Sequence, residues 1–358
     1  MSNDNITQKL SFNFVDEDSS IVGEEAFMNP ANNEEFTLGY YMSKDLDLYK
    51  VDFGMRLDQI DRTGSVTDED HGDVDYYSID DSTSSFAVSL GRDLSDTLDV
   101  NVGFSSVERL PSVIELFMNG PHMATGRLET GNPNLKSETS DNFDITFNYE
   151  KGEYFGYASF YINDVDNYIT LMDEEDDHDG HDGHDPHHDD DDDHPVGDPH
   201  DPHENLIHAD YVQEDAEFDG YEIEFGRTMS LASGELTLSF GRDVVNAKFA
   251  DGHNVPRINP ARNVYSLAYE QDDTIFKLSM KDVEKQNDFG EGETASEAYQ
   301  MLDMRLTKRF NINNAGDLKV TLFGRNLLDE VARNHASFVK NEVPLPGRNY
   351  GIKFNFSY

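Results

Sequence analysis

The sequence contains no cysteine and no tryptophan, and its 358 residues include only 27 lysine and arginine residues against 73 aspartate and glutamate residues. The absence of cysteine excludes a disulfide framework and a thiolate zinc site. A formal net charge of -46 argues against nucleic acid as a partner, because contacts to phosphate need clustered lysine and arginine. The same charge favours a cationic ligand.

Long apolar stretches are also lacking. No run of about 18 apolar residues occurs and no apolar segment follows Met1, so the sequence predicts neither a transmembrane helix nor a secretory signal. A search for long apolar runs does not detect membrane β-barrels, because their strands alternate apolar and polar residues. Phosphate-binding glycine loops, serine elbows and paired catalytic motifs are missing as well, so we do not expect an enzyme.

Alternation of apolar and polar residues runs through the chain. Phe143, Ile145, Phe147 and Tyr149 are separated by polar residues, which is the period of a strand with two different environments. A soluble sandwich would alternate too. The pattern predicts about 14 strands, near residues 7–14, 36–43, 48–60, 82–93, 97–106, 140–150, 154–171, 209–228, 235–249, 261–271, 274–286, 298–311, 317–328 and 347–358.

The lengths of the connections between strands distinguish a membrane barrel from a soluble sandwich. Short turns, as at 44–47, 151–153 and 272–273, alternate strictly with long connections. Outer-membrane barrels pair short periplasmic turns with long extracellular loops, whereas a sandwich has no reason to place every long loop at one end. We therefore predict an all-β fold, a transmembrane antiparallel β-barrel in contact with outer-membrane lipid. Several strands exceed the length that crosses a bilayer, so we expect them to extend beyond it as a collar.

One long connection has an unusual composition. Residues 173–204, here called the acidic histidine segment, hold 8 histidines and 16 carboxylates among 32 residues, without lysine or arginine. Such a composition buries too little apolar surface to offset the entropy of ordering, so we predict a disordered extracellular loop over 173–208. The rest of the chain still has 57 acidic residues, so acidity is not confined to this segment.

Imidazole and carboxylate are metal ligands, and close histidines share an ion without needing ordered structure. The imidazoles suit zinc, copper or nickel and the carboxylates alone suit calcium, and a solvated acidic loop without bound metal is the simplest competing interpretation. Since imidazole binds metal only when neutral, capture should fall towards about pH 5. The candidate ligands in or beside the segment are His178, His181, His184, His187, His188, His194, His200, His203 and His208.

Several motifs resemble those of TonB-dependent outer-membrane receptors. Residues 107–117 (VERLPSVIELF) and 131–138 (GNPNLKSE) are similar to a long loop of that family, 324–329 (GRNLLD) to its penultimate strand, and 354–358 (FNFSY) to its terminal assembly signal. Residues 119–129, with the turn NGPHMATG, resemble the zinc-receptor, ZnuD-like branch, whose members also have a histidine- and aspartate-rich loop.

The resemblance implies a barrel of about 22 strands closed by a plug domain, of which residues 1–358 are expected to be a C-terminal portion without the plug. A complete barrel of about 14 strands, acting as a diffusion channel, is the alternative. The resemblance also implies that His122 is a zinc ligand, with Glu129 as a weaker companion and further ligands from the plug. Without that resemblance, His122 is a surface turn histidine.

Three functions follow from these expectations. The first is uptake of zinc or a similar divalent metal, driven through the TonB complex, with zinc as the transported ligand. The second is a passive or binding-only barrel, and the third is a TonB-dependent receptor for copper or a siderophore. His71, His253 and His335 have no partner at ligand spacing, so we expect them to be solvated loop residues.

Overall fold

The computed structural model describes residues 6–23, 26–67, 72–174, 206–312 and 316–358. Within these residues no helix is long and apolar enough to cross a membrane. The described elements, in chain order, are β1 (Ile6–Ser19), β2 (Ala31–Leu46), β3 (Tyr49–Thr67), β4 (Val74–Ser95), β5 (Leu98–Arg109), α1 (Val113–Phe117), β6 (Asn119–His122), β7 (Arg127–Thr130), β8 (Glu138–Lys151), β9 (Tyr154–Asp173), β10 (Ile207–Leu231), β11 (Gly234–Phe249), β12 (Arg262–Gln271), β13 (Thr274–Val283), β14 (Tyr299–Asn311), β15 (Asp317–Arg325) and β16 (Asn349–Ser357).

The described strands form one large sheet. All except β6 and β7 follow each other in chain order, and each pairs antiparallel with the next. Within the described residues β1 and β16 have one neighbour each, so the sheet is open. The predicted all-β antiparallel fold and the positions of its strands are confirmed. The sequence does not predict β6 or β7, because four-residue strands are too short to show an alternating pattern.

Tight turns lie at one end of the sheet and long connections at the other. The turns after β2, β8 and β12 contain a residue with positive φ, at Asp47, Gly152 and Asp272 respectively. Such turns match the twist of the two strands that they join. At the opposite end, strands extend further than predicted, as in β3 and β4. The chain therefore has an end with tight turns and an end with long connections.

The two faces of the sheet differ in polarity. On β16, Tyr350, Ile352 and Phe354 lie on one face and are exposed, while Lys353 and Asn355 lie on the other. Cross-strand partners keep this parity, since Phe354 lies opposite Val320 of β15. We call the apolar side the outer face and the polar side the inner face. An exposed apolar face is the surface that a barrel presents to lipid.

The connection between β5 and β8 folds over the inner face. Its helix α1 buries Leu116 and Phe117 almost completely, in a cluster with Met28 and Ala31. Gly64 of β3 allows this approach, because a Cβ at that position would lie 2.8 Å from Cγ of Phe117. The connection is therefore packed against the sheet wall, on the side away from the apolar surface.

Candidate metal centre

Helix α1 is fixed by its own first turn. The Ser112 hydroxyl accepts a hydrogen bond from the Glu115 N–H, and a Glu115 carboxylate oxygen accepts one from the Ser112 N–H at 2.6 Å. This capping box satisfies backbone donors that a helix start leaves without partners. Arg109 holds the same carboxylate and also donates to Glu138 at 3.0 Å. The helix is thereby tied to strands β5 and β8.

The hairpin β6–β7 follows this helix directly. Asn119 N–H donates to the carbonyl oxygen of Phe27 at 2.7 Å, and Gly131 N–H donates to that of Met118 at 2.6 Å. The turn between the strands ends at Gly126, whose φ of 69° is a conformation that favours glycine. Strand β7 then pairs in parallel with the start of β10, with Glu129 opposite Ala209. The hairpin is thus an extension of the main sheet.

A histidine and a carboxylate face each other across this hairpin. Nδ1 of His122 lies 2.9 Å from Oε1 of Glu129, which also accepts the Thr125 hydroxyl at 2.6 Å. Only 2 % of the Glu129 side chain is exposed, against 29 % of the His122 side chain. The Phe27 ring lies 4.7 Å from the imidazole ring, measured between centroids. The pair is therefore half-open: the carboxylate is enclosed and the imidazole reaches solvent.

This arrangement is suited to metal binding by the imidazole. When Nδ1 carries the proton and donates it to Glu129, Nε2 keeps its lone pair for a metal ion, and the carboxylate fixes the tautomer. Among the described residues, no group of three or more histidine, aspartate or glutamate side chains could hold a metal. His122 alone is thus one ligand of a site that needs others.

The first residue of the acidic histidine segment and the start of β10, which follows the segment, adjoin the hairpin. Arg127 of β7 donates two hydrogen bonds to Asp173, at 2.6 and 2.7 Å, and both side chains are buried. Glu174 N–H donates to the carbonyl oxygen of His208 at 2.9 Å. Strands β9 and β10 remain paired as far as Asp173, so the first and last residues of 173–208 lie in or beside strands.

Arg127 also joins the hairpin to the last long connection. The guanidinium groups of Arg127 and Arg257 both lie over the Phe338 ring, at 4.5 and 4.3 Å from its centroid. The backbone N–H of Arg257 donates to Glu293 at 3.0 Å. Burial opposes the charge of Glu293, but contacts with His335 and two backbone N–H groups outweigh it and lower the pKa of Glu293. A buried charged network thus connects several long connections.

The structure places the predicted site residues unequally. It brings His122 and Glu129 together, and it puts His208 on β10, exposed and opposite Leu128. His71 lies outside the described residues, and so do the candidate ligands His178, His181, His184, His187, His188, His194, His200 and His203.

Two other histidines were expected to be solvated loop residues, and the structure agrees for only one of them. His253 is exposed and paired with Asp251 at 2.5 Å, as expected of a loop residue. For His335 the expectation of a solvated loop residue is wrong: 1 % of it is exposed, and Nδ1 lies 2.8 Å from the Ser296 hydroxyl and 3.2 Å from Nζ of Lys340. The reason is that the last long connection packs back on the one before it.

An antiparallel sheet of this size, with an apolar outer face and a polar site at the end with long connections, defines the wall of an outer-membrane receptor barrel. The family model for the "TonB dependent receptor-like, beta-barrel" matches residues 5–327, and the chain belongs to this family. The family is one of Gram-negative outer-membrane receptors and transporters rather than enzymes. The resemblance at the level of the family is confirmed.

Solved structures show the same fold. Copper transporter OprC matches with a TM-score of 0.69 and 19 % identity, over 92 % of this chain and 49 % of its own. The ferric enterobactin receptor PfeA from Pseudomonas aeruginosa matches with a TM-score of 0.63 and 15 % identity, over 99 % and 52 %. The FrpB iron transporter from Neisseria meningitidis, F5-1 variant, matches at 0.61 and 14 %, over 92 % and 46 %. The chain thus spans about half the length of these proteins.

Proposed function

We propose that this chain forms part of the wall of a receptor that imports a divalent metal ion, with zinc as the favoured ion. The observation that carries the proposal is the position of His122. It is held by a buried carboxylate on a hairpin that contacts Asp173, the first residue of the acidic histidine segment, and Ile207, which follows the segment. An importer of free cations needs such an arrangement, in which a ligand lies next to a region that concentrates the ion.

His122 and Glu129 take different roles in this proposal. Glu129 is enclosed and already accepts hydrogen bonds from His122 and Thr125, so it is a positioning residue rather than a ligand. His122 supplies Nε2 to the ion. A carboxylate that orients a ligating histidine in this way raises the basicity of the imidazole and fixes its direction.

Transport then proceeds from capture to delivery. The carboxylates and 8 histidines of the acidic histidine segment raise the local concentration of the cation, and weak exchangeable sites release it to His122. Delivery to the periplasm uses a plug domain and energy from the TonB complex in the intact receptor, because the chain has no nucleotide-binding motif. These steps are part of the proposal.

Zinc uptake by cells that express the receptor containing this chain tests the proposal. With zinc limiting, Glu129→Gln should lower the uptake rate by about tenfold, because loss of the partner of a ligating histidine weakens metal sites by about 10- to 100-fold. His122→Ala, which removes the ligand itself, should lower it further. His253→Ala is the matched control, because it removes an exposed loop histidine whose partner is Asp251. It should leave uptake unchanged.

The outcomes separate the competing functions. Equal uptake by the His122→Ala and His253→Ala variants would contradict a role for His122. Zinc that binds to the cells without entering them would indicate a binding-only barrel. Uptake of copper, or of iron only as a siderophore complex, with zinc excluded, would support the third alternative.

A further inference from the structure

The main sheet has a gap beside the last residues of β11. Strands β11 and β12 pair only as far as Asp243 and Arg262, although β11 continues to Phe249. The same register would place Pro260 opposite Val245. Proline has no N–H to donate to a neighbouring strand, so β12 does not extend past this point. Part of β11 therefore lacks a strand neighbour on that side.

The backbone groups that face the gap belong to alternate residues of β11. The Ala247 carbonyl oxygen accepts the Val255 N–H at 3.2 Å, and the Phe249 N–H donates to the His253 carbonyl oxygen at 2.9 Å, both on the side away from β10. Successive residues of a strand point their backbone groups to opposite sides. The N–H and C=O of Val245 therefore face the gap, and no group of the described residues hydrogen-bonds to them there.

The far wall of the gap is formed by the chain before β12 and the residues that follow β13. The Ala261 carbonyl oxygen accepts the Glu284 N–H at 2.9 Å, and the Gln286 amide donates to the Ile258 carbonyl oxygen at 2.8 Å. Residues 258–261 are thus held on the side of β13 and not against β11. The gap has a volume of about 910 Å³, which is the size of a site for a short peptide or a small molecule.

The gap lies outside the apolar band of the outer face. On β11, Leu238 and Phe240 lie on that face, and the next outer-face residue is Arg242, beyond which the gap begins. The strands that complete the barrel would join β1 and β16, which are the two edges of the sheet. Neither lipid tails nor additional barrel strands therefore fill the gap.

The two sides of the gap differ in polarity. Its inner side is lined by Ala216, Ala247 and Phe249, which belong to a buried apolar cluster. Its outer side carries the exposed Glu217, on the same face of β10 as the exposed Phe225. The gap is therefore closed towards the barrel interior, where a plug domain would lie, and open towards the outside.

The lining as a whole has an excess of negative charge. Seven carboxylates and three cations line the gap, and two of the cations, Arg242 and Lys285, already have a carboxylate at 2.5 and 3.1 Å. Glu217 on one wall and Asp288 on the other are exposed, and no lysine or arginine nitrogen of the described residues lies within 4.0 Å of either. A positively charged partner complements these walls, whereas the acidic histidine segment has the same sign of charge and is repelled.

We propose that this gap is a docking site for an extended basic peptide segment, which pairs antiparallel with β11 and continues the sheet. The segment supplies the N–H and C=O partners that Val245 lacks, in the place where Pro260 has no N–H. Its residue opposite Val245 faces the apolar inner side, and the residues on either side of it place basic side chains on the outer face. A small cation matches the charge of the walls but not the backbone of Val245. This inference does not depend on the proposed metal transport.

Fluorescence anisotropy of a labelled hexapeptide of alternating valine and lysine tests the proposal, with the purified receptor containing this chain in detergent micelles. Wild-type receptor should bind the peptide saturably. In the proposed pairing the valine N–H groups face β11, so N-methylation of the valines should weaken binding about tenfold or more. N-methylation of the lysines instead leaves the charge and these donors intact, and it should weaken binding less.

Two double variants test the contribution of charge. E217Q/D288N removes one carboxylate from each wall and should weaken binding of the hexapeptide by about three- to tenfold. The matched control E34Q/D61N removes two exposed outer-face carboxylates that lie opposite each other on β2 and β3, away from the gap, and it should change binding by less than about twofold. The proposal is overturned by an absence of saturable binding, by equal weakening in both variants or with both methylated peptides, or by spermine displacing the peptide at equal concentration.

Discussion

The inner face of the sheet has two regions that differ in whether their cations form ion pairs with carboxylates. On β2 and β3, Arg56 donates to Glu35 at 2.7 Å and to Asp58 at 2.8 Å, so its charge is balanced. On β13 and β14, Lys277 and Arg305 lie opposite each other, and no carboxylate of the described residues lies within 4.0 Å of either side-chain charge. Register thus decides which cations are paired.

The distribution of charge along the sequence explains this difference. Residues 1–261 hold 59 acidic and 14 basic residues, whereas residues 262–358 hold 14 and 13. Where carboxylates are in large excess, an inner-face cation such as Arg56 has two of them beside it. Where the numbers are equal, strand register leaves some cations next to each other. The first region therefore joins its strands by internal ion pairs, as between Arg56 and Glu35, whereas the second region places cations opposite each other.

The largest loss of stability should come from breaking the ion pair between Arg127 and Asp173, the first residue of the acidic histidine segment. Arg127→Leu leaves Asp173 buried without its cation, which should cost about 3–5 kcal/mol of unfolding free energy. Urea-induced unfolding in detergent measures this cost. Arg262→Leu is the control, because its partner Asp243 is 32 % exposed and such pairs contribute about 1 kcal/mol or less. Similar losses in both variants would show that burial of the pair is unimportant.

A smaller effect is expected from the balanced region of the inner face. Arg56→Gln removes the cation from Asp58, whose side chain is only 3 % exposed, and an enclosed charged acceptor without its partner costs about 1–3 kcal/mol. The same unfolding experiment should show a loss. A stability equal to that of the wild type would mean that Thr83, which donates to Asp58 at 3.4 Å, is a sufficient partner.

The same kind of substitution should have the opposite sign on β13, where Lys277 faces Arg305. Lys277→Gln removes one of two facing charges, and it should stabilise the isolated receptor by about 0.2–1 kcal/mol. Thermal unfolding of the Arg56→Gln and Lys277→Gln variants side by side makes the comparison direct. A destabilisation by Lys277→Gln would show that this lysine has a favourable contact in the protein alone.

The smallest effect considered is that of acidification on Glu293, in the connection between β13 and β14. Because contacts with His335 and backbone N–H groups lower the pKa of Glu293 below its ordinary 4.5, this carboxylate stabilises the folded state above that pH. The contribution is lost as the pH falls below about 4.5 through the lowered value. Limited proteolysis of the connections between pH 6 and pH 3 should show this loss, and Glu293→Gln should remove the pH dependence.

The strands could be predicted from sequence because alternation is local. Each strand position depends on neighbours two residues away, so the prediction for Phe143 to Tyr149 needed no tertiary information. The burial of His335 could not be predicted, because its contacts come from Ser296 and Glu293, about 40 residues earlier in the chain. The parallel pairing of β7 with β10 could not be predicted either, because it joins residues 80 positions apart, such as Leu128 and His208.

The candidate metal centre could be predicted from sequence only in part. The turn motif of residues 119–129 singled out both His122 and Glu129, but it did not separate their roles. That separation depends on burial, which leaves the imidazole open and encloses the carboxylate. Burial at this position is produced by Phe27 and by the packing of the hairpin on β10. Both contacts involve residues distant in sequence, so the residues around His122 do not predict them.

Zinc titration of the purified receptor most directly tests the role of His122. Three proteins are compared: the wild type, His122→Ala, and a variant in which a short turn replaces residues 175–205. The turn can be short because β9 and β10 stay paired up to Asp173 and Ala209. The account predicts that the shortened variant binds fewer zinc ions but keeps the tightest site, and that His122→Ala loses that site. A tightest site that survives in His122→Ala and disappears with the segment would contradict it.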